Sequence, residues 1–117
     1  MKKVPIDIKG LRLYTVSDIQ KKQIGANEWH RIRNELVFNI KGSVKWTCED
    51  LFGNEKVFNL SPKSGLWIPP FILHTYEVKN KETVLLVIAS TLFIPDDSQT
   101  HDTYSAVAFR KLQAQYI

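Results

Sequence analysis

Apolar and polar residues alternate with a period of two over several short segments, which predicts β-strands that turn one face to a core. The segments are Lys9–Val16, Trp29–Ile40, Val44–Glu49, Glu55–Leu60, Leu66–Ile68, His74–Val78 and Thr83–Ser90. Turn residues separate them, as at Lys41-Gly42-Ser43 and at Leu51-Phe52-Gly53-Asn54. The run from Val84 to Ala89 is apolar throughout, which is typical of a strand buried on both faces.

Two segments depart from this alternation. Ser17–Ala26 is polar and contains Gly25, which predicts a loop. In Ser105–Ile117, the side chains of Ala108, Leu112 and Tyr116 are spaced four apart, which predicts a C-terminal helix with these residues on one face. Many short strands, regular turns and little helix indicate an all-β antiparallel sandwich or barrel. At 117 residues, the chain is expected to form one domain over residues 1–117.

Composition and the single cysteine also predict the location of the protein. The hydrophobic content of 44% and the charged content of 24% are those of an ordinary folded protein. The start Met1–Asp7 is basic but has no apolar run behind it, so the sequence predicts neither a signal peptide nor a membrane span. The single cysteine, Cys48, cannot form an internal disulfide, which fits a cytoplasmic location. No base or basic cluster lies near it in sequence, so we expect an inert thiol.

The net charge of +4 suggests an anionic partner. The lysines and arginines are scattered and form no nucleic-acid-binding motif, so we expect no nucleic acid partner. A small anionic molecule, such as a nucleotide-linked substrate, suits this mild charge better.

The candidate chemistry lies in two spaced sets of residues. The first is Glu28-x-His30, then four residues, Glu35, six residues and Gly42; the second is Pro69, four residues and His74. On a strand, Glu28 and His30 project from the same face. If that face lines a cavity, the two residues form an acid/base or metal-binding set; if it faces water, they are surface residues.

This spacing resembles the two motifs of the cupin superfamily. The first cupin motif is His-x-His, a short gap, Glu, six residues and Gly, and the second is Pro-x-Gly-x-x-His. Here Glu28 replaces the first histidine, and Phe71 replaces the glycine of the second motif. The resemblance implies a cupin fold, a jelly-roll-like double-stranded β-helix, with a short C-terminal helix.

A closer resemblance, over nearly the whole chain, is to the cupin-fold nucleotide-sugar 3,4-ketoisomerases. It rests on Pro5-Ile6-Asp7-Ile8-Lys9, Arg12-Leu13-Tyr14, His30, Gly42-Ser43, Gly65-Leu66-Trp67-Ile68-Pro69-Pro70 and Val84-Leu85-Leu86-Val87-Ile88-Ala89-Ser90. The resemblance implies an isomerase that moves a keto group between C4 and C3 of a thymidine-diphosphate-linked 6-deoxyhexose for cell-surface polysaccharide synthesis. It also implies a homodimer that works without a metal or another cofactor.

The chain differs from this family at the active-site motif. Where the family carries Arg-Gly-x-His-Ala-His-Lys, this chain carries Gly25-Ala26-Asn27-Glu28-Trp29-His30-Arg31. The second histidine is kept as His30, whereas Glu28 replaces the first histidine and Gly25 replaces the arginine.

Keto migration needs a base that removes the proton next to the carbonyl and an acid that returns one to the neighbouring carbon. Histidine suits both roles because its ordinary pKa is about 6.5. We therefore expect His30 to be the principal acid/base, with Glu28 assisting it and Tyr14 donating a hydrogen bond to the enediolate oxygen. The residues expected to bind substrate are Arg12, Arg31, Glu35 and His74.

Two alternatives remain open from the sequence. The chain could be a non-catalytic cupin that binds a sugar nucleotide or a protein partner. It could also be a metal-dependent cupin, because Glu28, His30, Glu35 and His74 offer two nitrogen and two oxygen donors that suit zinc, iron or manganese. The three tryptophans, Trp29, Trp46 and Trp67, are expected to be core or cavity-wall residues.

Overall fold

The computed structural model describes residues 10–17, 19 and 24–117, and in them two antiparallel β-sheets pack together beside one short helix. The strands are β1 Arg12–Val16, β2 Ile24–Trp29, β3 Glu35–Lys41, β4 Val44–Glu49, β5 Glu55–Leu60, β6 Gly65–Ile68, β7 Leu73–Val78, β8 Val84–Ala89 and β9 Tyr104–Ser105. Helix α1 spans Ala106–Gln113, and a 3-10 helix spans Ser98–Thr100. One sheet has the order β1-β8-β3-β6 and the other the order β5-β4-β7-β2-β9. Lys9 of the predicted first strand, and residues 18 and 20–23 of the predicted loop, lie outside the described residues.

The core between the two sheets is built from alternate residues of facing strands. Val37 of β3 and Val87 of β8 pack against Val44 and Trp46 of β4, and all four side chains are buried. The prediction that β8 is buried on both faces is wrong. Leu85, Val87 and Ala89 are buried, whereas the three residues between and before them are only half-buried, because they face the outer side of their sheet.

The predicted continuous strand through Trp29–Ile40 is also wrong. Strand β2 ends at Trp29, β3 begins at Glu35, and the two strands belong to different sheets. The chain bends between them because the carboxylate of Asp102 accepts hydrogen bonds from three successive backbone N–H groups. These belong to Arg31, Ile32 and Arg33, at 2.9, 3.0 and 2.8 Å. His30 therefore lies on a turn that joins the two sheets.

Strand β2 begins inside the segment predicted as a loop. It pairs antiparallel with β7, and the register shifts between Ala26 and Glu28. Ala26 and Asn27 both have left-handed backbones, with φ of 62° and 60°. This irregularity turns the following residues toward the space between the sheets.

Helix α1 lies where the sequence predicts it. The side-chain oxygen of Ser105 caps its first turn by accepting from the backbone N–H of Ala108. Phe109 and Gln113 are the buried residues of the helix, and it ends before Tyr116, which is exposed. Phe109 packs with Trp29 and Leu73 in a second apolar cluster. Ala108 and Leu112 of the predicted face are half-buried and pack against this cluster, whereas the prediction is wrong for Tyr116, which lies beyond the end of the helix.

Within the described part of the chain, none of the helical segments is both long enough and apolar enough to span a membrane.

Candidate active site

A cavity of about 280 Å³ lies between the two sheets. Apolar side chains and Trp46 form one part of its wall, and ionisable side chains form the other. The lining residues are Tyr14, Val16, Ala26, Glu28, Glu35, Trp46, His74, Tyr76, Leu85 and Val87.

Four ionisable side chains cluster beside this cavity. Each of Glu28, His30, Glu35 and His74 contributes one nitrogen or oxygen, and these four atoms all lie within 4.8 Å of one another. Nε2 of His30 contacts Oε1 of Glu35 and lies 4.0 Å from Oε1 of Glu28. Nε2 of His74 lies 4.0 Å from the same Glu35 oxygen.

Both imidazole rings are held from behind by a backbone carbonyl. Nδ1 of His30 is 2.7 Å from the carbonyl oxygen of Asp102, and Nδ1 of His74 is 3.0 Å from that of Ile72. A carbonyl oxygen can only accept, so Nδ1 donates in both rings. Each ring therefore presents its Nε2 to the carboxylates.

The His30–Glu35 contact favours opposite charges on the two side chains. Burial on its own lowers the pKa of His30, but the Glu35 carboxylate and the Asp102 carbonyl outweigh it and raise the pKa above 6.5. Burial raises the pKa of Glu35, but contact with His30 and the nearby His74 bring the net pKa below 4.5. Both shifts favour the charged pair, an imidazolium next to a carboxylate.

The other groups around the cavity favour their neutral forms. Burial lowers the pKa of His74, which leaves a lone pair on its Nε2. Burial and the charge of Glu35 raise the pKa of Tyr14 to about 12. Burial and the charge of Glu28 also raise the pKa of Tyr76. Both phenols therefore remain hydrogen-bond donors.

The predicted site residues do not all lie on the cavity wall. Tyr14, Glu28, Glu35 and His74 line it, whereas His30 lies behind Glu35 and is 1% exposed.

The two predicted arginines lie in different places. The guanidinium of Arg12 lies 4.8 Å from the ring centre of Tyr14 in an open groove that shares Tyr14 and Glu28 with the cavity. The remaining residues of this groove are Arg33, Phe93, Pro95 and Thr103. Arg31 instead lies over the rings of Trp29 and Tyr104, and neither the cavity nor the groove has it in its lining.

The tryptophans and the cysteine also separate. Trp29 is buried beside α1 and Trp46 lines the cavity, as expected for core or wall residues. Trp67 is 62% exposed and donates its Nε1–H to Asn34, so it is not a core residue, but it lines the wall of a second cavity of about 220 Å³. Burial raises the pKa of Cys48 to about 11, which keeps it a thiol.

Three further residues shape the site without having been identified from the sequence. Tyr76 lines the cavity, and its position two residues after His74 on β7 is a signal that could have identified it. Asp102 and Arg33 hold the turn that carries His30. No local signal marks Asp102, because it lies 69 to 71 residues after the backbone groups that it binds.

Gly25, which stands at the arginine of the ketoisomerase motif, is covered by an aromatic ring. A Cβ atom at this position would lie 2.1 Å from Cζ of Tyr76, which is its cross-strand partner. The phenol ring thus occupies the space into which a longer side chain at position 25 would extend.

Two residues that stand at glycine positions of the motifs have left-handed backbones. Ala26 falls at the glycine of the ketoisomerase motif and Phe71 at the glycine of the second cupin motif, and both have a φ of 62°. Left-handed backbone at a residue with a Cβ carries an energetic cost. The backbone N–H of Phe71 donates to the carbonyl of His30 at 2.8 Å, which holds this conformation beside the site.

Comparison with protein families gives one match. The chain matches the model described as FdtA: WxcM-like, C-terminal, over residues 1–108. No protein in the curated set matches it.

Solved structures with a similar fold include several sugar 3,4-ketoisomerases. QdtA from Thermoanaerobacterium thermosaccharolyticum, in complex with TDP, is 24% identical with a TM-score of 0.76, over 97% of this chain and 80% of that chain. A mutant of QdtA in complex with TDP-4-keto-6-deoxyglucose is 25% identical with a TM-score of 0.77, over 97% and 79%. A 3,4-ketoisomerase from Helicobacter canadensis is 18% identical with a TM-score of 0.77, over 95% and 79%. The predicted cupin fold is therefore confirmed.

Proposed function

The chain belongs to the FdtA family (WxcM-like, C-terminal), and on that premise we propose that it is a 3,4-ketoisomerase of a TDP-linked 4-keto-6-deoxyhexose. The observation that carries the proposal is the cluster of Glu28, His30, Glu35 and His74 beside a cavity between the sheets. Similar structures bind TDP or TDP-4-keto-6-deoxyglucose, which supports a nucleotide sugar as the ligand. The product would enter cell-surface polysaccharide synthesis.

In this proposal, the carboxylate of Glu28 removes the proton from C3 of the sugar. Glu28 lines the cavity, so its oxygen can reach a bound sugar. The electron pair of the broken C–H bond forms the C3–C4 double bond of an enediolate, and negative charge develops on the C4 oxygen. Tyr14 lines the same cavity and keeps its proton, so it can donate a hydrogen bond to that oxygen.

The second half of the reaction returns a proton to C4. The hydroxyl proton of C3 passes to the C4 oxygen, and the carbonyl re-forms at C3. The proton on Nε2 of His30 is the source for C4, and it travels through the Glu35 oxygen that it contacts, because Glu35 and not His30 lines the cavity. Transfer of the proton from Glu28 back to His30, 4.0 Å away, restores the starting state.

The open groove next to the cavity suits the nucleotide part of such a substrate. Arg12 and Arg33 supply positive charge there, and Phe93 supplies an aromatic face. Tyr14 and Glu28 line both spaces, so one substrate molecule could place its sugar in the cavity and its diphosphate in the groove.

The direct test is solvent exchange at the sugar. We expect that incubation of the protein with TDP-4-keto-6-deoxyglucose in deuterium oxide removes the C3 proton of the substrate and yields the 3-keto isomer with deuterium at C4, as followed by proton NMR. The variant Glu28→Gln should lose this exchange. Glu55→Gln, which changes an exposed carboxylate on β5, is the matched control and should retain it.

Absence of exchange would contradict the proposed isomerase activity. If TDP then raised the melting temperature without turnover, the protein would be the binding module that the sequence left open.

A metal-dependent cupin is the second candidate, and one observation favours it. Both histidines donate Nδ1–H to a carbonyl and present Nε2 to the carboxylates, which is the orientation of metal-ligating histidines. Metal analysis of untagged protein decides between the two. A stoichiometric transition metal, with activity lost on chelation, would favour the metal-dependent reading.

We also propose that the protein is a homodimer. The outer face of the first sheet carries a cross-strand row of large apolar side chains, formed by Leu13, Ile88, Leu36 and Trp67. Leu13 and Trp67 are each 62% exposed. Apolar rows of this size on a sheet are typical of covered surfaces. Light scattering should give twice the monomer mass, and Leu36→Lys should lower it.

A further inference from the structure

The turn that carries His30 is held by a residue from a distant part of the chain. Asp102 lies just before β9, and its two carboxylate oxygens accept the backbone N–H groups of Arg31, Ile32 and Arg33. These donors would otherwise be free at the end of β2. Burial raises the pKa of Asp102, but the three N–H groups outweigh it and lower the pKa, so the side chain remains a carboxylate.

The backbone of the same residue contacts the imidazole. The carbonyl oxygen of Asp102 accepts from Nδ1 of His30 at 2.7 Å. Asp102 has a φ of 42°, in the left-handed region. Because left-handed backbone is unfavourable for a residue with a side chain, this conformation depends on the contacts that the carboxylate makes.

Arg33 binds the residues just before Asp102 to the same turn. Its guanidinium is 2% exposed and donates from Nη2 to the carbonyls of Thr100 and His101, at 3.1 and 2.9 Å. Its Nε donates to the hydroxyl of Thr91 at 2.8 Å. The buried guanidinium of Arg33 thus fixes both ends of the segment between Thr91 and His101, which leads to Asp102.

We propose that Asp102 is a positioning residue for His30. Its side chain holds the turn, its carbonyl holds Nδ1–H, and together they aim Nε2 at Glu35 and Glu28. The effect on turnover rests on the proposed function, whereas the effect on the orientation of the ring does not.

Two variants separate the side chain from the backbone conformation. Asp102→Gly keeps the left-handed backbone and removes the carboxylate. Asp102→Asn tolerates the same backbone and keeps one acceptor oxygen. Asp97→Ala is the matched control, because Asp97 lies in the same segment and caps the 3-10 helix through Gln99, away from His30.

We expect Asp102→Gly to lower kcat on the order of 10²-fold, since a displacement of the catalytic acid by about 1 Å lowers the rate by that factor. KM should stay within about threefold, because the cavity wall itself is unchanged. Asp102→Asn should fall between Asp102→Gly and the wild type, and Asp97→Ala should match the wild type.

The readout that does not need turnover is the Nδ1–H proton of His30 in a proton–nitrogen NMR spectrum. The bond to the Asp102 carbonyl should protect this proton from exchange with water in the wild type and in Asp97→Ala. Its signal should be lost in Asp102→Gly. A protected signal in folded Asp102→Gly, or a kcat per folded molecule equal to that of the wild type, would overturn the proposal. If the wild type converts no sugar nucleotide, the proposed function fails while the NMR comparison still decides the role of Asp102.

Discussion

The two ends of the cavity differ in how firmly their ionisable groups are held. At the inner end, His30, Glu35 and His74 are 1%, 6% and 2% exposed, and each histidine is bonded to a carbonyl behind it. At the outer end, Glu28 and Tyr14 are about one-third exposed and lie next to the open groove. The inner end therefore has protonation states set by the protein, and the outer end leaves its polar atoms to a ligand.

The inner end also shows how one residue type takes two protonation states. The rings of His30 and His74 are 5.2 Å apart, yet the pKa of the first is raised and that of the second lowered. Only His30 contacts the Glu35 oxygen, and His74 lies 4.0 Å from it. Burial lowers the pKa of both rings, and only in His30 do the contacts with Glu35 and the Asp102 carbonyl outweigh it.

Replacing His30, the proposed acid at the inner end, should have the largest effect on turnover. His30→Asn removes the imidazolium while keeping a polar side chain, so we expect kcat to fall by roughly 10²- to 10⁴-fold. The rate of isomer formation in proton NMR measures it. His101→Asn is the control for kcat, because the Nε2–H of His101 donates to the Pro95 carbonyl and its ring stacks on Phe93, outside the cluster. Turnover by His30→Asn at the wild-type rate would exclude His30 as the acid.

A change at the outer end tests the base. Glu28→Gln should lower kcat by roughly 10²-fold, the lower limit for a general base. Glu28→His restores the residue of the ketoisomerase motif and should recover activity above that of Glu28→Gln. An equal loss in both variants would show that position 28 contributes no proton transfer.

The buried ion pair should be visible in the pH dependence of stability. The raised pKa of His30 stabilises the fold below about pH 6.5 and this gain is lost as pH rises through the raised value. The lowered pKa of Glu35 stabilises the fold above about pH 4.5 and this gain is lost as pH falls through the lowered value. The difference in free energy of unfolding between the wild type and Glu35→Gln should therefore be largest between those two pH values.

The size of that difference should be about 3 kcal/mol, as expected when one partner of a buried pair is removed. Urea titrations at a series of pH values measure it. A difference that does not vary with pH would show that the pair is not charged in the fold.

The smallest effect is expected at the phenol of Tyr76, which lines the cavity. Tyr76→Phe keeps the ring over Gly25 and removes only the hydroxyl, so we expect a several-fold rise in KM, equivalent to about 1 kcal/mol, with kcat nearly unchanged. Initial rates over a range of substrate concentration measure it. A large fall in kcat would place Tyr76 among the groups that act in the chemical step.

Two aspartates show why some turns were predictable and others were not. At the tip of the β4–β5 hairpin, the carboxylate of Asp50 accepts the backbone N–H groups of Phe52 and Asn54, two and four residues later. Such local chemistry is visible in a short window, and the turn was predicted. Asp102 does the same for residues some seventy positions earlier, and no window of sequence contains both partners.

The same distinction applies to the site. The spacing of Glu28, His30, Glu35 and His74 follows known motifs, so their proximity could be expected before the structure was available. The placement of His30 behind Glu35 could not, because the alternation of residues continues through the bend at 30–34 and hides it. The burial of Phe109 in α1 was not predicted, because Trp29, far away in sequence, decides which helical residue packs most deeply.

The contact between Gly25 and Tyr76 limits the order in which this site can change. Arginine, or any residue with a Cβ, cannot enter position 25 while the phenol ring stays where it is. A library that varies one position at a time would score position 25 as intolerant, although a joint change with a smaller side chain at position 76 could be accepted. The two positions therefore have to be varied together in any screen that aims to place a longer side chain on this strand.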